Sequence, residues 1–257
     1  MISKDEIVRN WLPRYTGTAL QEFGDYILLV NFSNYVEKFA ALNQCEIRGI
    51  GGPMQTATSS DGITIINFGI GAPNAATVMD LLSAVTPKAC LFLGKCGGLK
   101  MNLKPGDFIL PIGAMREGSA STLYFPMEVP ALPSFNLHKT VAQVINRHGY
   151  EYYTGTIYST NRRVWEHDEK FRTFLEDVRA IGIDMETSTI FLVGFANHIP
   201  KGALLLVTDL PMVPEGVKTD QSDQRVTEQY LDLHLKIGIE SLREIAATGE
   251  SVKHLKF

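Results

Sequence analysis

The stretch GALLLVTDLP at 202–211 carries five consecutive apolar residues, 203–207, and then breaks off at Asp209 and Pro211. A run that is apolar on both faces suits a strand covered on both sides, as in a parallel sheet. Shorter runs of the same kind recur: YILLV at 26–30, ITIINF at 63–68, ACLFL at 89–93, and FILPI at 108–112 after the turn Pro105-Gly106-Asp107. Helix-period segments fall between and after them, at 35–42, 74–85, 134–148 with Gly149 as its stop, and 171–178. Another follows a short strand at 183 and runs to about Asn197; the last places Leu231, Leu235, Ile239, Leu242 and Ile245 on one stripe and ends near Gly249. Strand, helix and strand in alternation require parallel pairing through right-handed crossovers. The expected fold class is therefore α/β, a mixed but mostly parallel central sheet flanked by helices. No repeat or linker divides the chain, so 1–257 is read as a single domain.

Composition narrows the function. With 45% hydrophobic and 20% charged residues, a net charge of −4 and no basic stripe, neither nucleic acid nor an anionic membrane is expected as a partner. The first residues, MISKDEIVRNWLPRY, read as neither signal nor transit peptide, and no apolar run reaches membrane-spanning length, so the expected location is cytoplasmic. Cys45, Cys90 and Cys96 lack CxxC spacing, and the six histidines are dispersed. No disulfide framework, no metal site and no cofactor is expected.

Chemistry is expected where strands end, because ligands of α/β sheets bind beyond the carboxyl ends of strands. Asp209 stands there, either as a catalytic acid or as a local capping carboxylate. GIGAPNA at 69–75 follows a strand and opens a helix; Gly71 there lets backbone amides approach an anion, or only makes a tight turn. GKCGGL at 94–99 places Lys95, Cys96 and Gly97 at the next strand end, with Lys95 a candidate for a negatively charged ligand or a solvated lysine. AMREGSASTLY at 114–124 adds Arg116, Glu117, Ser119 and Tyr124 on a polar loop. IDMET at 183–187 puts Met185 and Glu186 before a helix; Glu186 either accepts hydrogen bonds from a vicinal diol or caps the helix.

In this order, the turn at 69–71, the loop at 94–98, Asp184-Met185-Glu186 and the strand-end Asp209 resemble the nucleoside phosphorylase superfamily, whose members cleave N-glycosidic bonds of nucleosides. The resemblance covers roughly 15–245. Within it, YTGT at 15–18, NFSNYVEKF from Asn31, Gly155-Thr156 with NRRVWE at 161–166, DMETSTI from Asp184 and PMVPEGVKT after Asp209 are similar to the AMP-cleaving branch in its short bacterial type. The regulatory N-terminal domain of the long type, and with it activation by ATP, is not expected.

The resemblance implies hydrolysis of AMP to adenine and ribose 5-phosphate. It makes Asp209 the general acid at N7 of the purine and Glu186 the holder of the ribose hydroxyls, with Met185 on the sugar face. Phe92 and Lys95 replace the arginine and serine with which phosphorylases hold orthophosphate, so water is the expected nucleophile. Lys95, Arg116, Arg162 and Arg163 are then candidates for the 5′-phosphate. Trp165 falls near the base by resemblance, or packs in the core. The superfamily also implies a homo-oligomer, a hexamer foremost, with residues 1–24 as a candidate interface segment. A nucleoside phosphorylase, a methylthioadenosine-type nucleosidase and a non-catalytic nucleotide-binding module stand as rival readings.

Overall fold

The alternating apolar strands divide their side chains between two helical layers. The computed structural model describes residues 2–118 and 120–248; Ser119 and Gly249 lie outside them. In chain order the elements are α1 (Lys4–Thr16), β1 (Tyr26–Val30), α2 (Ser33–Asn43), β2 (Ile47–Arg48), β3 (Gln55–Thr58), β4 (Ile63–Asn67), α3 (Ala72–Leu81) and β5 (Ala89–Gly98). They continue with β6 (Phe108–Arg116), α4 (Phe135–Arg147), β7 (Tyr152–Ser159), α5 (Glu169–Asp177), β8 (Gly182–Asp184), α6 (Thr187–Ala196), β9 (Lys201–Asp209) and α7 (Asp220–Thr248).

Because strand side chains alternate, Ile27 and Leu29 of β1 and Ala203, Leu205 and Val207 of β9 join one core with Leu12 of α1, Val78 and Met79 of α3, and Ile190 of α6. Leu28, Val30, Leu204 and Leu206 join the other, under Phe39 of α2, Val141 of α4 and Leu235 and Leu242 of α7. Most of these side chains are wholly buried, and each one larger than alanine contributes about 1.5–3 kcal/mol of transfer free energy. This double covering is why the strands read as unbroken apolar runs.

Strands β4, β1, β5 and β9 lie side by side and parallel. Beyond them the pairing becomes mixed. β9 pairs antiparallel with β6, β6 parallel with β7, β7 parallel with β8, and β8 antiparallel with β5. Since β5 also pairs with β9, these five strands close into a ring. A short antiparallel extension, β3 and β2, continues the sheet beyond β4. The sequence reading did not place α1, β2, β3 or β7. In β7 the Thr-Gly-Thr at 154–156 interrupts both alternation and hydrophobicity, and the strand is specified by its neighbours on either side.

The last helix starts 11 residues before Leu231, at Asp220, and so returns to the strand ends. No described helix is long and apolar enough to cross a membrane.

Candidate active site

A β-bulge aims the strand-end acid. Cys96 of β5 pairs with Val207 of β9, but Gly97 pairs with Asp209, which leaves Thr208 as the extra residue. Such bulges bend a strand and redirect its next side chain. Thr208 Oγ1 donates to Asp209 Oδ1 at 2.8 Å and lies 3.4 Å from the Cys96 carbonyl oxygen, tying the redirected carboxylate to the bulge. A Cβ at Gly97 would meet Pro211 Cγ at 2.9 Å, so only glycine lets β5 approach the turn after Asp209. Asp209 then lines a cleft with Cys96, Gly97, Trp165, Met185 and Glu186. Burial pushes the Asp209 carboxyl above its usual range, against the pull of the Lys218 ammonium 3.7 Å away.

The second acid sits where β8 runs into α6. Asp184 accepts hydrogen bonds from Ser159 Oγ at 2.6 Å and from both the backbone N and Oγ1 of Thr187, at 2.8 and 2.5 Å. This fixes the strand-to-helix junction, so the two residues that follow project into the cleft. Glu186 accepts from the Gly71 backbone N at 2.6 Å and from the Met185 backbone N at 3.3 Å. Gly71 holds φ +98° at the start of α3, a conformation that a side chain would strain. Two helix starts, α3 and α6, thus meet at one carboxylate. Burial first, and the charge of Asp184 second, push Glu186 up to about 8.

The cations are distributed unequally. Lys218 bridges Asp209 and Asp223, with Asp223 Oδ1 at 3.2 Å. Arg162 pairs with Asp168 at 2.9 Å and lies over the Phe171 ring, while Arg163 is held loosely by Glu166 at 3.5 Å; both arginines line the cleft. Lys95 also reaches the cleft wall, but its ammonium donates to Thr227 Oγ1 at 2.6 Å and to Asp223 Oδ1 at 3.2 Å, 4.5 Å from the Phe32 ring centroid. It is a buried tie to α7, and burial lowers its pKa.

Arg116 does not join the group. Its guanidinium donates to the backbone carbonyls of Ser121, Phe125, Pro126 and Val129, and it faces a different depression, lined by Met127, Leu132 and Phe174. In sequence, a charge on a polar loop looks alike whether it points to a ligand or staples its own loop. Trp165 packs edge-on against Phe171 in a small apolar cluster and also lines the cleft. Cys96 is buried, and burial holds its thiol well above the ordinary value, so it is a neutral wall. In the YTGT segment, Thr16 and Thr18 are buried within this chain, where Thr18 Oγ1 lies 2.6 Å from Thr56 Oγ1.

Asn31, Thr160, Glu166 and Lys218 also line the cleft, although the sequence reading had not singled them out as site residues. Asn31, Glu166 and Lys218 lay inside quoted motifs; of these only Asn31 stands directly at a strand end, while Glu166 and Lys218 lie on the loops that follow β7 and β9.

A family profile described as the Phosphorylase superfamily matches residues 25–243. Among curated proteins, the chain is 28% identical to an AMP nucleosidase of Escherichia coli K12 over 95% of its own length, and it spans 60% of that relative's length. It is 30% identical to a guanosine phosphorylase of Halorubrum lacusprofundi, over 68% of this chain and 72% of the relative. Among solved structures it is similar to the AMP nucleosidase of Bacteroides thetaiotaomicron, with a TM-score of 0.87 and 47% identity over 97% of this chain and all of the other. A uridine phosphorylase of Vibrio fischeri shares the fold, with a TM-score of 0.75 and 22% identity over 88% of this chain and 93% of the other. The profile covers the barrel strands, both helix starts at Glu186 and the strand end at Asp209, and this chain therefore belongs to the phosphorylase superfamily.

Proposed function

We propose that this chain hydrolyses the N-glycosidic bond of AMP, giving adenine and ribose 5-phosphate, with water as nucleophile. The observation that carries the reading is the pairing of Asp209 and Glu186 in one cleft with arginines beside it, in a chain 47% identical along nearly its whole length to an AMP nucleosidase.

Cleavage leaves negative charge on the departing base and positive charge on the sugar. Asp209, whose pKa burial raises, donates a proton or hydrogen bond to N7 of the purine. Glu186, once ionised, accepts from the 2′- and 3′-hydroxyls and faces the developing positive charge, and Met185 packs on the sugar. Arg162 and Arg163 take the 5′-phosphate, a dianion that suits planar guanidinium donors. Lys218, already between two carboxylates, opposes the burial-driven rise of the Asp209 pKa.

A phosphorylase reading draws support from the guanosine phosphorylase relative. Chromatographic detection of adenine from AMP, beside adenosine and 5′-methylthioadenosine with and without orthophosphate, separates the two. Adenine from AMP independent of orthophosphate is the expected result. Cleavage of adenosine only with orthophosphate would establish the phosphorylase, and AMP binding without adenine release a non-catalytic module. A homo-oligomer, hexameric by family resemblance, and a cytoplasmic location complete the proposal; light scattering of the purified protein tests the first and fractionation of cells the second.

A further inference from the structure

One carboxylate that has no place in the chemistry above ties the loop after β6 to the cleft wall at Thr160. Glu117 follows β6, and its Oε2 accepts from Thr160 Oγ1 at 2.9 Å and from the Asn161 backbone N at 2.8 Å. The clasp is doubled by the backbone: Asn161 Nδ2 donates to the Gly118 carbonyl oxygen at 2.9 Å, and the Glu117 backbone N to the Ser159 carbonyl oxygen at 3.2 Å. Thr160 Oγ1 in turn accepts from the Arg162 backbone N at 3.1 Å. The chain from Glu117 through Thr160 therefore ends on the backbone of the residue pair that carries two cleft cations. Residues 161–164 otherwise form a turn of four exposed residues before Trp165 is buried.

We infer that Glu117 is a positioning residue that holds Arg162 and Arg163 in register for the phosphate of the substrate, an inference that rests on the AMP reading. The far end of the turn is anchored independently, since Trp165 is packed on Phe171 and the Trp165 backbone N donates to Glu166 Oε2 at 2.9 Å. Loss of the clasp should then loosen the phosphate end of the cleft and leave the base end in place. Charge is not required, because a glutamine oxygen can accept the same two hydrogen bonds.

The test compares wild type, Glu117→Ala, Glu117→Gln and Thr160→Val for AMP turnover and for inhibition by ribose 5-phosphate and by adenine. For Glu117→Ala the expected result is a rise of about tenfold in the KM for AMP and in the Ki for ribose 5-phosphate, with the Ki for adenine within about twofold. Glu117→Gln should stay near wild type, and Thr160→Val should move in the direction of the alanine variant. Equal changes in both inhibition constants, or a glutamine variant as impaired as alanine, would overturn the positioning role while AMP cleavage by wild type upholds the reading beneath it. If wild type does not cleave AMP, the reading fails first and the inference with it. Should Glu117→Ala not fold, the glutamine and valine variants still decide the matter.

Discussion

The backbone N of Gly71 donates to Oε1 of Glu186 at 2.6 Å, across 115 residues of sequence. This single bond joins the starts of α3 and α6, and it determines how an acid can be kept in so enclosed a place. Glu186 carries a proton below its raised pKa of about 8, and above it the ion has little beyond two amides to compensate its burial.

A stability prediction follows from that shift. Because the folded pKa of Glu186 exceeds the unfolded one, the native state binds more protons between about 4.5 and 8, and stability falls as pH rises through this window. Glu186→Gln removes the ionisation. Its melting temperature should exceed that of wild type by several degrees at pH 9 and hardly differ at pH 5, read by calorimetry, while its grip on ribose is lost.

Asp209→Asn keeps the shape of the acid and removes its proton. Turnover of AMP should fall by roughly 10²- to 10⁴-fold with binding of AMP nearly unchanged. Single-turnover adenine release and equilibrium titration measure the two separately; an asparagine variant with wild-type turnover would exclude the general acid.

Lys218 opposes the burial-driven rise of the Asp209 pKa. Replacing it by glutamine lets that pKa rise further. If turnover needs protonated Asp209, the alkaline limb of the pH profile for kcat should move to higher pH in Lys218→Gln, and a limb that stays in place or moves to lower pH counts against the coupling.

Arg116 supplies the contrast. Arg116→Ala strips donors from carbonyls of the loop after β6, an expected loss of about 2–4 kcal/mol in denaturant unfolding. The KM for AMP should change little at a temperature where the variant is folded.

Much of this site was legible before any coordinates, for a physical reason. Strand ends announce themselves when an apolar run stops at a charge, so Asp209 stood out, whereas Glu186 was picked out by its place before a helix and by the family resemblance of Asp184-Met185-Glu186. The direction of a cation does not announce itself. Lys95, Arg116 and Lys218 all lie in polar or glycine-rich surroundings, yet Lys95 turns to Asp223 and Thr227, Arg116 turns to its own loop, and only Lys218 meets the acid. Ring closure was hidden for a related reason: β8 is three residues long and β7 is broken by glycine, so neither carries a periodic signal of its own.

The pairing of β5 with β9 has a consequence for how the protein is made. Partners such as Cys96 and Val207 are more than a hundred residues apart, and β6 borders the same late strand. On a ribosome, β5 and β6 leave the exit tunnel long before β9 does, and each waits with an unpaired edge. The nascent chain therefore acquires Asp209 and the strand that seals the ring in the same few seconds of synthesis, so that the candidate site and a protected fold arrive together.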